Sequence, residues 1–250
     1  MKTKMTIIRW GLPVLAALAL VPVANAVTIN YQVTQSGSVT SAAGLFGPDL
    51  HAAGTETWNQ DLWTDHPNMT SGFLDSTGAA ATGVGFSSDL GGPDDWNISA
   101  PLTLIHRSGR AFYNGPGNAG TFTITGLDNG TLYDLYIASA HLSGGGAAQG
   151  IGTWNTSNTN TTGATITIDN TGYTSNATGG TTWISGVNYV LFQNLQPSGG
   201  SITMTEHAYS PNLTDARVGF NGFQLISVPE PSTALLAGFG LLGLVRRRRA

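Results

Sequence analysis

The sequence predicts an all-β protein, an antiparallel β-sandwich with one short apolar helix attached at each end. Three observations lead there. Between residues 27 and 227 no segment places apolar residues at i, i+3, i+4 and i+7 over three helical turns. Short runs that alternate apolar with hydroxyl or other polar residues recur instead, divided by clusters of Gly, Asn, Asp, Pro and Ser. Strands spaced by polar turns favour antiparallel layers over a parallel sheet. The two segments outside this pattern, residues 1–26 and 228–250, are apolar runs flanked by basic residues.

Taken in order, residues 1–26 read as a secretory signal helix. Lys2, Lys4 and Arg9 form the positive start, Gly11 to Val23 the apolar stretch, and Ala24-Asn25-Ala26 a small-residue cleavage site with Ala24 and Ala26 at its two selective positions. The chain is therefore expected to use the Sec translocon and signal peptidase, and to begin its mature form at Val27. Val27 to Val33 alternates as a strand. Residues 34–79 predict long loops with one short strand. Ala81 to Ser87 predicts a strand, followed by a turn at Gly91-Gly92-Pro93-Asp94-Asp95. Leu102–Arg107 and Arg110–Tyr113 predict a pair joined by Ser108-Gly109. Thr121–Leu127 and Leu132–Ala140, around Asp128-Asn129-Gly130, predict a β-hairpin. Residues 143–163, rich in Gly, Thr, Asn and Ser, predict a surface loop. Thr165–Ile168, Trp183–Leu195, Ser201–Glu206 and Val218–Ile226 complete nine or ten strands.

Composition excludes several functions. Between residues 27 and 227 the only basic residues besides histidine are Arg107, Arg110 and Arg217, and the net charge there is near −10. Nucleic acid is excluded as a partner, because its binding needs phosphate-neutralising cations. The chain has no cysteine, so disulfides, thiolate metal sites and cysteine nucleophiles are absent. No nucleophile elbow, zinc-protease helix, phosphate loop or EF-hand loop occurs. His51 and His66 stand with Glu56, Asp61 and Asp65 in one predicted loop, a cluster better read as solvated than as a metal site. Asp94 and Asp95, after a Gly-Gly-Pro turn, are the candidate calcium ligands, since calcium takes loop oxygens. Calcium is the one candidate cofactor. Trp58, Trp63, Trp96, Trp154 and Trp183 are candidate sugar platforms, with Trp154, Trp58 and Trp63 foremost. Trp154 leads because its sequence neighbours offer nothing apolar to pack against. Glu56 and Glu206 are the only glutamates between 27 and 227, and no acid pair for glycoside hydrolysis can be picked out.

The tail has three parts. Val228-Pro229-Glu230-Pro231 is stiff and extended, because each proline fixes its own φ and disfavours helix before it. Ala234–Val245 is apolar and, as a helix, about 18 Å long, against a hydrocarbon core of about 30 Å. Arg246, Arg247, Arg248 and Arg249 follow and stay cytoplasmic by the positive-inside rule. Such a helix retains a protein in a membrane only for a time. This order resembles the PEP-CTERM sorting signal of Gram-negative bacteria. The resemblance implies processing by an exosortase near Pro229, Glu230 and Pro231, transient anchoring in the inner membrane, and delivery to the cell surface or extracellular matrix of an organism that makes exopolysaccharide. Three domains result: signal 1–26, sandwich 27–227 and sorting signal 228–250. The run of strand, Pro-Ser-Gly-Gly turn, Ser201–Thr205 and Val218–Leu225 also resembles the galactose-binding or malectin-like jelly rolls. The function expected is that of an exported, non-enzymatic surface or matrix protein with exopolysaccharide as its ligand. The alternatives are a matrix polysaccharide hydrolase using the Asp and Glu of residues 49–95, and a purely structural biofilm or adhesion protein.

Overall fold

A computed structural model of the chain describes residues 27–34, 59–62, 68–69, 71–89, 93–94, 109–113, 119–139, 148–158, 165–170, 184–209 and 216–228. These lie within one unit, Val27–Val228, and among them every regular element is a strand. In chain order the strands are β1 (Thr28–Thr34), β2 (Asn59–Leu62), β3 (Asn68–Met69), β4 (Gly85–Ser88), β5 (Pro93–Asp94), β6 (Gly109–Tyr113), β7 (Ala119–Thr125) and β8 (Leu132–Ala138). They continue as β9 (Ala148–Gln149), β10 (Ile151–Thr156), β11 (Thr165–Asp169), β12 (Tyr189–Leu195), β13 (Ile202–Tyr209), β14 (Ala216–Phe220) and β15 (Gly222–Val228). The predicted helices at the two ends lie outside the described residues.

The sandwich has two principal layers. One is a five-stranded sheet in the order β12-β8-β15-β1-β2, the other a six-stranded sheet in the order β11-β10-β13-β7-β4-β3. A smaller sheet, β5-β6-β14-β9, accompanies them. Pairing is antiparallel except for β1 with β2 and β14 with β9. From β7 onward the chain passes repeatedly from layer to layer, the habit of a jelly roll. Period-2 alternation explains the core. Ile29, Tyr31, Leu135, Ile137, Val190, Phe192, Phe223 and Leu225 from the first layer meet Phe86, Phe122, Ile124, Trp154, Ile168, Ile202 and Met204 from the second, all buried. Tyr31, Phe86, Phe122, Phe220 and Phe223 form a ring cluster, with Tyr31 and Phe86 centroids 4.4 Å apart. Each such side chain contributes about 1.5–3 kcal/mol by leaving water, which is how a chain without disulfides holds together.

The two ends of the sandwich differ. One end is made of tight turns. Gly126 (φ 74°) runs so close to the Gly83 carbonyl that a Cβ would lie 1.8 Å from its oxygen. The Leu127 N–H donates to the Gly200 carbonyl at 2.9 Å, and the Gly200 N–H donates to Asn129 Oδ1 at 2.7 Å. Asn158 donates to the Gln196 and Ser201 carbonyls and accepts from the Thr203 N–H. At the other end β9 leads through Gly150 into β10, and β14 leads through Asn221 into β15. The small sheet therefore caps that end, with β14 lying against β10 and β13. The strands bounding residues 114–118, 140–147, 171–183 and 210–215 also stop and start there, and β1 and β2 both end there.

Several expectations change. The predicted hairpin is an arch: β7 pairs with β4 and β13, and β8 with β12 and β15. The Asp128-Asn129-Gly130 turn forms, with the Gly130 N–H on Asp128 Oδ1 at 2.9 Å. Buried Leu127, however, carries the chain across the core to the other layer. The loop predicted over 143–163 contains β9 and β10. Pro93–Asp94, predicted as turn, is β5, paired to Arg110 and Gly109. The strand at Arg110–Tyr113 is paired through β5 and β14, while residues 102–107 lie outside the described residues. Val228, read as the start of the tail, closes β15 opposite Leu132.

Candidate functional site

The face of the five-stranded sheet turned away from the core is not an ordinary solvated face. Register aligns Asn30, Gln224, Tyr136 and Leu191 in one row across β1, β15, β8 and β12. Gly222, Ala138 and Tyr189 stand in the next row toward the capped end. The Tyr136 and Tyr189 rings stack with centroids 6.2 Å apart and planes 29° from parallel. Gln224 Nε2 donates to Asn30 Oδ1 at 2.6 Å. Gln224 Oε1 is buried and has no hydrogen-bond partner among the described residues. Burial grows toward the capped end: Asp134 and Ile226 are half-buried, Gln224 and Gly222 fully buried. Asp134 is held at the other end of this face by the N–H of Asn194, a residue at φ 53° beside the β12 bulge. Tyr136 is half-buried, whereas Tyr189 is 8% exposed and Asn30 and Gln224 0%, so Tyr136 is the ring nearest to solvent. A ring pair backed by carboxamides is a chemistry suited to neutral sugars. Ring faces take the C–H side of a pyranose, and amides both donate to and accept from hydroxyls.

Trp154 is not part of such a face. It is 0% exposed, packs its ring against Phe122 (5.7 Å) and Phe220 (6.0 Å), and donates its indole N–H to Ser139 Oγ at 3.0 Å. The expectation that it serves as a sugar platform is corrected. β10 is an inner strand with alternating burial, and the apolar partners absent from its own sequence neighbourhood come from β7 and β14. Ser139 belongs to a buried polar knot at the capped end. Asn170 Nδ2 donates to the Ser139 carbonyl, the Ser139 N–H donates to the Asn188 carbonyl, and Asn188 Oδ1 accepts from the Ile184 N–H. The knot fixes the roots of the connections leaving β8, β11 and the start of β12.

Glu206 stands beside Trp154 in the register of the second layer, with Gly120 on its other side. It is 0% exposed, and neither carboxyl oxygen has a hydrogen-bond partner among the described residues. Burial pushes its carboxyl well above the ordinary glutamate range, because the charged form loses its hydration. Enclosed between the layers, Glu206 cannot meet a polymer. Its position is legible from Ile202, Met204 and Glu206 alternating with hydroxyl residues. The tyrosines and amides of the outer face are not among the expected site residues, although the same alternation, in Leu132–Ala138, points Tyr136 away from the core.

Of the other expected site residues, Trp58, Trp63, Trp96, Trp183 and Asp95 lie outside the described residues, as do Ala24, Ala26, Pro229, Glu230, Pro231 and the arginines from Arg246 to Arg249. Asp94 is placed by its backbone alone, in β5. Among the described residues no three His, Asp or Glu side chains gather as a metal site.

Residues 227–249 match a family described as the PEP-CTERM protein-sorting motif. No curated protein matches the chain. Among solved structures, TmCBM61 in complex with β-1,4-galactotriose is similar to this chain at a TM-score of 0.35 and 12% identity, over 58% of this chain and 88% of that one. A likeness so remote says nothing here about ligand. The tail match carries more: this is an exported chain, processed by an exosortase after a membrane-associated step.

Proposed function

We propose that this exported protein is a non-enzymatic polysaccharide-binding protein of the cell surface or extracellular matrix, and that the outer face of its five-stranded sheet is the binding face. The observation that carries the reading is the stacked Tyr136–Tyr189 pair set beside Asn30 and Gln224. Its support is chemical. Among the described residues the face carries the half-buried Tyr136 ring over buried Tyr189, Asn30 and Gln224, and no basic side chain. The acidic, lysine-free composition of residues 27–227 favours an uncharged ligand over an anionic one. Binding of the mature protein to neutral and acidic polysaccharides, by glycan array and calorimetry, tests it. Tyr136→Ala should weaken binding about tenfold while leaving the melting temperature within a few degrees. A wild-type protein that binds no polysaccharide, including that of its own host, ends the proposal.

The hydrolase alternative needs two carboxyl groups about 5–9.5 Å apart across a substrate, and Glu206 is too enclosed to be one of them. Release of reducing ends from the host's polysaccharide by the mature protein would reinstate it. Calcium at Asp94 and Asp95 belongs to the proposal as a stabilising ion. Adding calcium to chelator-treated protein should raise its melting temperature, and an unchanged transition removes the ion from the account.

A further inference from the structure

The two ends of the folded unit lie side by side. The Val27 N–H donates to Ser227 Oγ at 2.7 Å, the Ser227 N–H donates to the Val27 carbonyl at 2.8 Å, and Thr28 is paired with Ile226. Neighbouring strands are about 4.8 Å apart, so the residue after the signal and the residue before Pro229 leave the sandwich together. Both leave at the turn end. Val228 pairs with Leu132, just past the Asp128–Thr131 turn, and the Ser76 N–H donates to the Thr28 carbonyl.

The tether is short. Between Val228 and the first residue of the apolar run, Ala234, stand only Pro229 to Thr233. At about 3.1 Å per residue in a proline-stiffened chain, they reach roughly 16 Å. β15 alone, at 7 residues, spans about 23 Å. A tether shorter than the long axis of the body it holds cannot turn that body end over end. At Val27 the signal joins with no tether at all.

We propose that the turn end of the sandwich is the membrane-facing end of the precursor, and that the capped end, with the Tyr136–Tyr189 face running up to it, is held away from the lipid surface. This rests on the sorting-signal reading of the tail. Nothing at the turn end holds lipid by charge: Asp75 and Asp128 are there, and among the described residues no basic side chain accompanies them. Retention is covalent, and cutting the tail releases the domain.

The chain lacks cysteine, so single reporters are clean. Ala79→Cys marks the turn end and His207→Cys the capped end, both at exposed positions. Each labelled full-length precursor is reconstituted in phosphatidylcholine–phosphatidylglycerol vesicles containing a headgroup nitroxide lipid. Quenching at position 79 should exceed that at position 207 several-fold. A 12-residue Gly/Ser insertion between Val228 and Pro229, in the chain freed of its signal, should erase most of the difference. Equal or reversed quenching without the insertion overturns the orientation. Precursor that fails to sediment with the vesicles overturns the membrane-retention reading itself, and the orientation with it.

Discussion

Glu206 is the residue whose chemistry most opposes its place. Its carboxyl lies between two packed layers without a partner among the described residues, and burial raises its pKa. Because the folded form holds the proton more tightly than the unfolded chain, its contribution is most favourable below the ordinary glutamate range near pH 4.3. Stability is then lost as pH rises from there toward the raised folded value. Glu206→Gln should remove that slope, so that the variant gains stability relative to the parent as pH rises from 4 to 8. Thermal melts of both forms from pH 4 to 8 check this, and parallel curves would refute it. Trp154 makes the complementary case. Trp154→Ala should cost about 3–5 kcal/mol in urea unfolding and act on sugar binding only through that loss. Its role is hidden in the sequence because its neighbours along the chain are small and polar, whereas its partners, Phe122, Phe220 and Ser139, arrive from other strands. A single sequence names a side chain's neighbours along the chain, not across the sheets.

Among the elements, the β7–β8 arch decides the topology. Both strands and the turn between them are legible, because alternation and the Asp-Asn-Gly signal are local. Their pairing is not, since a turn with these residues serves a hairpin or a crossing equally well. The crossing is settled by Leu127 entering the core and by the contacts of Asn129 and Leu127 with Gly200, all of them distant in sequence. Two glycines separate backbone strain from crowding. Gly199 (φ 59°) has open space where a Cβ would stand, whereas Gly126 meets the Gly83 carbonyl. Gly199→Ala should cost about 1 kcal/mol and Gly126→Ala about 3 kcal/mol or more, read from urea midpoints, and equal costs would mean the arch is looser than described. Asn158→Ala, which strips partners from the Gln196 and Ser201 carbonyls and the Thr203 N–H, should cost about 2–4 kcal/mol.

At the scale of the whole molecule, sandwich and tail are legible from different signals. The strands follow from period-2 alternation and the sorting signal from the order of proline spur, apolar run and arginines. The proposed binding face follows from neither. Tyr136, Tyr189, Asn30 and Gln224 come from four strands, and only the finished register of β12, β8, β15 and β1 sets them in adjoining rows. The tail begins where β15 ends, with no spacer. A cut on the amino side of Val228 would remove the residue paired with Leu132, and one on the amino side of Ser227 also the residue paired with Tyr133, in the five-stranded sheet. Processing is therefore expected at Pro229 or beyond, leaving the last strand whole. Intact-mass and C-terminal peptide mass spectrometry of the protein recovered outside the cell measures this directly. The account predicts a chain that begins at Val27, keeps Val228 and lacks Arg246 to Arg249; an extracellular chain that still carries those arginines would contradict it.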